Sequence, residues 1–359
     1  MLGESFSGLE MKDVLLTILF VALQVTAGSA AEECRIEEMV SQKDFFSRVF
    51  IQQGKKLGQI HYEFDPVHAD ITPEGFTVGV DGRLWVLEGT RLKRIQGFES
   101  DGSFIVALAA AALVPPATSI VTVATPSRNV IATLTGDPPT PGTPGGPYLR
   151  TFEVDTRRPL QRVPLNIEAL AGGGIERAAI DASGFVWVFT DRWLVFKPDG
   201  NLLTRLGNRG EFVDRSGRLY ISNESLEVID REGRQVAKLA FPSGEEITIA
   251  GGSLETVLFA WDRKAEEKKT GGAVDAPNIL RLFRVDRNKG MLVQVDRLVL
   301  QTSRYRYPNP HLDFVVPEHV YIRELTFFRE GVFWFFAYSD SQYWIDRFDW
   351  SAWDAAGRP

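Results

Sequence analysis

Apolar residues along this chain come in short runs rich in Val, Ile, Phe, Trp and Tyr, split by polar turn residues, with little sustained helical spacing. That texture reads as β-strand. Between Ile180 and Gly233 one pattern is written twice, IDASGFVWVFTDRWLVFKPDG and then VDRSGRLYISNESLEVIDREG. Without a gap, Asp181 falls on Asp214, Gly184 on Gly217, Trp187 on Tyr220, Val195 on Val228 and Gly200 on Gly233, each pair 33 residues apart (214 − 181 = 33). Each copy predicts strand pairs joined by turns. Asp-x-x-Gly supplies one turn, and Pro198-Asp199-Gly200 or Arg231-Glu232-Gly233 the other.

The same texture runs through most of the chain. Pro73 to Ile95, with a turn at Asp101-Gly102, predicts a first unit, and its Gly82 and Trp85 match Gly184 and Trp187 at an offset of 102 (184 − 82 = 102). Ser119 to Val123, Asn129 to Leu134 and Tyr148 to Val154 predict a second, interrupted by a proline- and glycine-rich surface loop, Gly136 to Pro147. A fifth runs from about Glu245 to Leu300, with inner strands at Glu246–Ile249 and Thr256–Trp261 and a charged loop at Arg263–Ala276. The sixth has Gly331-Val-Phe-Trp334 and then Tyr343 to Phe348, and stops before a fourth strand. Ile60, Tyr62 and Phe64 alternate with His61 and Glu63, so this spare strand is expected to complete the last unit. Upstream, Phe45, Phe46, Val49 and Phe50 form a stripe that reads as a short helix or an arm.

A unit of this size cannot bury both faces of its own sheet and needs like neighbours. Radial repetition of four-stranded sheets meets that need, so the expected fold is all-β: a six-bladed β-propeller closed by an N-terminal strand in the last blade. The repeats resemble six-bladed propellers of the NHL, TolB-like and gluconolactonase/strictosidine-synthase-like grouping. The resemblance rests on Pro73-Glu74-Gly75, on Val80-Asp81-Gly82-Arg-Leu-Trp85-Val86, and on the two Asp-x-x-Gly-x-x-[Trp/Tyr] copies.

Composition narrows the picture. At 359 residues and 44% hydrophobic content, the chain can bury a large core. A net charge of −7 without a basic cluster argues against nucleic acid as a partner. Residues 1–31 read as a signal segment, with the true start at Met11: Lys12, the apolar run Val14–Val25, then Gly28-Ser29-Ala30-Ala31. The run is shorter than the ~20 residues a membrane helix needs, so no stable membrane insertion is expected after cleavage; retention as an anchor is the alternative. Residues 32–57 read as an N-terminal arm and 58–359 as the propeller. The expected location is periplasmic or extracellular. Cys34, the single cysteine, can form no internal disulfide.

Catalytic signatures are sparse. No Gly-x-Ser-x-Gly elbow occurs, and His61, His68, His311 and His319 have no metal-ligand spacing and read as surface or turn residues. Counting back eight residues from the repeat glycines reaches the start of each innermost strand: Glu74 from Gly82, Glu176 from Gly184, Arg209 from Gly217, and Arg323, beside Glu324, from Gly331. These acids and bases are the candidate ligand-binding ring at the channel mouth, with the arginines as anion clamps. A ring of mutually compensating charges around a water-filled channel is the structural alternative, worth ~0–1 kcal/mol per exposed pair. Tyr305, Tyr307, Trp350 and Trp353 read as packing between blades.

The function read from these features is an exported binding or scaffolding protein for a small-molecule or protein partner. No cofactor is expected on that reading. The resemblance implies a second reading, a metal-dependent hydrolase or lyase of the gluconolactonase-like type, in which Glu74 helps bind a divalent cation such as calcium in the central channel. The Asn and Asp that complete such a site have no counterpart here, where the Asn-Gly stretch is replaced by Glu176-Arg177. A third reading docks a partner on the loops 136–147 and 263–276.

Overall fold

The computed structural model describes residues 45–61, 73, 75–88, 92–109, 119–137, 145–166, 175–242, 247–261, 278–300, 305–308, 315–318, 321–338 and 342–356. The first strand among the described residues is β1 (Phe46–Gln52). Antiparallel four-stranded meanders follow in sequence order. The first is β2 (Gly75–Val78), β3 (Leu84–Glu88), β4 (Arg94–Phe98) and β5 (Phe104–Ala109). The second is β6 (Ser119–Ser127), β7 (Val130–Asp137), β8 (Gly146–Glu153) and β9 (Pro159–Pro164). The third is β10 (Arg177–Ile180), β11 (Val186–Phe189), β12 (Trp193–Phe196) and β13 (Leu202–Arg205).

An eight-stranded sheet comes next. It consists of a fourth meander, β14 (Phe212–Val213), β15 (Leu219–Ser222), β16 (Ser225–Ile229) and β17 (Gln235–Ala240), and a fifth, β18 (Gly251–Gly252), β19 (Leu258–Trp261), β20 (Asn278–Asp286) and β21 (Met291–Leu300). The two touch at one parallel pair, Ala240 with Met291. A two-stranded ribbon, β22 (Tyr305–Pro308) and β23 (Val315–Glu318), precedes β24 (Tyr321–Arg329), β25 (Val332–Tyr338) and β26 (Gln342–Asp349). A short helix, α1 (Trp350–Ala355), ends the described chain. The molecule is therefore nearly all β and built of four-stranded sheets, as the strand texture implies.

Burial grades across each meander. In the third, β11 and β12 are buried almost throughout, whereas β13 is half-exposed; β9 is exposed at all but one position. Central strands carry apolar residues on both faces because a neighbouring sheet covers each face. Six clusters of buried apolar side chains lie among the described residues, five of them between consecutive meanders and one between the last and the first. The cluster around Ile51, Tyr343 and Ile345 joins the last meander to Val78, Leu84, Val86 and Phe98 of the first. Polar contacts follow the same order: Thr125 Oγ1 donates to Val78 O (3.3 Å), Ala182 N to Arg215 O (2.9 Å) and Trp353 Nε1 to Asp296 (2.7 Å).

The repeated aspartates act as clips. The Asp181 carboxylate accepts from the backbone N–H of Ser183 (2.8 Å) and Phe185 (3.2 Å), from Trp187 Nε1 six residues on (3.1 Å), and from Arg231 Nε of the next meander (2.8 Å). Asp214 repeats the arrangement with Arg218 N (3.0 Å) and the Tyr220 hydroxyl (2.9 Å). The spacing recognised in the sequence is the reach of one carboxylate across its own turn.

Several expectations change. The strand that completes the last sheet is Phe46–Gln52, paired antiparallel with β26 from Phe46–Phe348 to Gln52–Gln342, and not Ile60–Phe64. Ile60 makes one parallel bridge to Gln53, and residues 62–64 lie outside the described residues. Part of the expected arm 32–57 thus belongs to the sheet. The helix-like stripe misled because it counted apolar residues alone. At strand period Val49 and Ile51 share the core face, while on the other face Arg48 binds both carboxylate oxygens of Asp346 (2.6 and 2.7 Å) and lies over the Trp344 ring (5.1 Å). His61 is buried rather than superficial. The fifth meander's first strand is Gly251–Gly252 rather than 246–249, although Ile247 and Ile249 are buried beside it. Trp350 and Trp353 pack between meanders as expected. The signal segment, Cys34, His68, His311, His319 and most of both loops lie outside the described residues.

Candidate functional site

The first strands of the six meanders are β2, β6, β10, β14, β18 and β24; β2 contacts β6 and β24, β6 contacts β10, and β18 contacts β24. The end where these strands begin is termed the near mouth, and the end where they finish the far mouth. Of the four ring residues, Glu176 directly precedes β10 and Arg209 lies three residues before β14, so both stand at the near mouth, and both are exposed. Neither makes an ion pair with another described residue. Glu74 lies outside the described residues, and Arg323 falls within β24, its backbone described and its side chain not.

Between Glu176 and Arg209 lie groups that counting from the glycines did not reach. Arg177 lies over the rings of Phe189 (4.5 Å) and Trp193 (5.5 Å), and its Nη1 donates to the Glu211 carbonyl (3.2 Å). The Glu211 carboxylate accepts from Ser222 N (2.8 Å). Burial pushes this carboxyl above its ordinary value, against the hydrogen bond from Ser222 and the charge of Arg177. Trp193 Nε1 is buried with no hydrogen-bond partner among the described residues. Gly210, at φ 138°, lets the chain pass over it: a Cβ there would sit 2.9 Å from Nε1 and 2.6 Å from Leu219 Cδ1. The near mouth therefore combines a stacked guanidinium, a carboxyl held toward its neutral form, and two exposed opposite charges.

For a divalent cation, the described part of this mouth offers an exposed carboxylate, Glu176, next to the guanidinium of Arg177. Among the described residues no group of three or more His, Cys, Asp or Glu side chains is placed to hold a metal ion.

The far mouth is a set of turns. A cavity of about 540 Å³ is bounded by residues of the fourth, fifth and sixth meanders, among them Arg215, Arg218, Ser253, Thr256 and Arg329. A smaller one of about 170 Å³, bounded by the ends of β2, β6 and β10, shares Arg215 with it. Burial lowers the Arg215 pKa, and the charge of Arg329 lowers it further, while Glu330 opposes. Arg329 is held by Gly79 O (3.0 Å from Nη1) and by Glu330 (3.3 Å from Nε). Arg218 is paired with Glu255. Burial acts to raise the Glu255 carboxyl, but the Ser253 hydroxyl and Arg218 bring it below its ordinary value. Asp214 is raised by burial and turned toward Tyr220. Thr256 Oγ1 is buried with no partner among the described residues.

No family model matches the chain, and no curated protein matches its sequence. Among solved structures, a catalytically inactive variant of virginiamycin B lyase from Staphylococcus aureus, determined with quinupristin, is 11% identical over 84% of this chain and 99% of that one, with a TM-score of 0.41. KlHsv2 with loop 6CD replaced by a Gly-Ser linker is 12% identical over 75% of this chain and 77% of that one, with a TM-score of 0.39. Likenesses this distant say nothing of activity or ligand.

No helix among the described residues is long and apolar enough to cross a membrane.

Proposed function

We propose that this chain is a six-bladed β-propeller, exported to a periplasmic or extracellular location, that works as a binding or scaffolding module through its near mouth. The six-fold count is supported by the six inter-meander core clusters. Closure is supported by β1, which stands as the fourth strand of the last sheet. Glu74, Glu176, Arg209 and Arg323 form the ligand ring, two acids and two bases that suit a zwitterionic group.

The observation that carries the reading is the placing of Glu176 and Arg209 at the same end of neighbouring innermost strands, on either side of Arg177 and Glu211. The test is calorimetric titration of the full chain with free glutamate, free arginine and calcium chloride. An amino acid should bind the wild type and fail to bind the fourfold alanine variant at Glu74, Glu176, Arg209 and Arg323, whose circular dichroism and melting temperature stay unchanged. Undiminished binding by that variant would move the site to the loops. Stoichiometric calcium with lactone hydrolysis would replace this reading by the gluconolactonase-like one.

A further inference from the structure

Strand pairing lines up three side chains on one face of the third meander. Arg177 opens β10 opposite Phe189 of β11, and Phe189 lies opposite Trp193 of β12. The two rings meet at 5.3 Å, and the Arg177 guanidinium lies over both, 4.5 Å from Phe189 and 5.5 Å from Trp193. Its Nη1 is tied to the Glu211 carbonyl of the fourth meander (3.2 Å). Glu211 is itself pinned: its N–H donates to Tyr220 O (2.9 Å), and its carboxylate accepts from Ser222 N (2.8 Å). Two meanders thus hold the guanidinium in place, although the residue is exposed at the head of its strand.

Holding it there leaves most of its donors unused. The bond from Nη1 is the single hydrogen bond Arg177 makes among the described residues, and it makes no ion pair with any of them. The rings take one face of the planar group and leave the N–H groups on its edge, the geometry that meets both oxygens of a carboxylate. A side chain fixed before binding loses less rotamer freedom when the ligand arrives. Arg209 stands close by, because the next residue, Gly210, passes over the same Trp193, where a Cβ would sit 2.9 Å from Nε1. Arg209 is exposed, and no described residue holds its guanidinium in one position.

We propose that Arg177 is the carboxylate anchor of the near mouth: Nε and Nη2 donate to the two oxygens of a ligand carboxylate, and Arg209 adds positive charge from the neighbouring loop. This rests on the near mouth being the ligand site, and it places the anchor on a residue outside the ring of four.

The experiment is calorimetric titration of the full chain at low ionic strength with glutarate, which has carboxylates and no amine, and separately with inorganic phosphate. Glutarate should bind at millimolar concentration or tighter, and more tightly than phosphate. Arg177→Gln should weaken it at least about tenfold, the loss of a charge-assisted pair of hydrogen bonds. Arg177→Lys keeps the charge, loses the planar fork, and should weaken it by a smaller factor. Should the glutamine variant fail to fold, the lysine variant carries the test. An arginine that served only to join two meanders would lower the melting temperature of both variants and leave glutarate affinity as it was. That result, no binding of glutarate, or tighter binding of phosphate overturns the proposal. The fourfold alanine variant separates the anchor from the ring. Binding lost in Arg177→Gln but kept in the fourfold variant removes the ring and leaves the anchor; the opposite pattern removes the anchor and leaves the ring.

Discussion

Replacing Glu88 with alanine probes how the segment behind the closing strand is held down. Glu88 and Arg94 are directly paired across β3 and β4, their side chains 5% and 7% exposed. The carboxylate accepts four hydrogen bonds: from Arg94 Nε (2.6 Å) and Nη2 (3.2 Å), Gln96 Nε2 (2.7 Å) and the His61 backbone (2.7 Å). Arg94 in turn donates to the carbonyls of Lys55, Lys56 and Gln59, and Gln96 to that of Gln59. The carboxylate thus neutralises the cation that fixes residues 55–59. Without it, a buried guanidinium has no counter-charge, which costs about 3–5 kcal/mol. That is a large share of a total stability of roughly 5–15 kcal/mol. Urea titration should report a loss of this size, with faster amide exchange across residues 55–61. Glu88→Met combined with Arg94→Met should lose less than Glu88→Ala, since no charge is then buried. A Glu88→Ala protein within about 1 kcal/mol of wild type would refute the reasoning.

Other expectations follow from the same contacts. A chain beginning at residue 45 should melt like the full protein, whereas one beginning at residue 54 loses β1, bares the edge of β26 and should aggregate on size exclusion. Arg231→Ala takes from the buried Asp181 carboxylate its charged partner across two meanders and removes a cation over Phe185 (4.5 Å), a loss of about 2 kcal/mol by chemical denaturation. Asp349→Ala removes the α1 cap, whose carboxylate accepts from Ala352 N (3.0 Å), and should cost about 1 kcal/mol in the same assay. Glu211 and Asp214 titrate above their ordinary values of 4.5 and 3.8 because of burial, so the folded chain holds their protons more tightly than the unfolded one. Their effect favours folding most below those values and fades as pH rises through the folded ones. The melting temperature should decline on that account between pH 4.5 and neutrality, and Glu211→Gln should flatten the decline.

The meanders were legible because one carboxylate reaches its own turn and an aromatic six residues on, which writes Asp181, Gly184 and Trp187 at fixed spacing. The closing strand was not. Its apolar residues mimic helical spacing, and its decisive partner, Asp346, lies 298 residues away. Helix α1 is also written in the sequence, with Asp349 as cap and the buried Trp350 and Trp353 three residues apart. The near mouth was half-legible. Counting from glycines reached Glu176 and Arg209 but not Glu211, whose carboxyl is tied to Ser222 of the neighbouring strand.

That difference follows from what the turn does with each position. In the third and fourth meanders the aspartate is consumed by the fold, since its oxygens close the turn and hold the aromatic. The following residue has its backbone fixed by the same turn, yet its side chain takes no part in closing it. Aligned on that turn, the position is Val80, Ala182, Arg215 and Leu254 in the first, third, fourth and fifth meanders, whereas the sixth turns in two residues, Glu330 and Gly331, with Arg329 still paired to Val332. A repeated scaffold thus presents unlike side chains at like places around one mouth. The repeat secures the backbone geometry, and the side chain shown at each turn is where the repeats disagree.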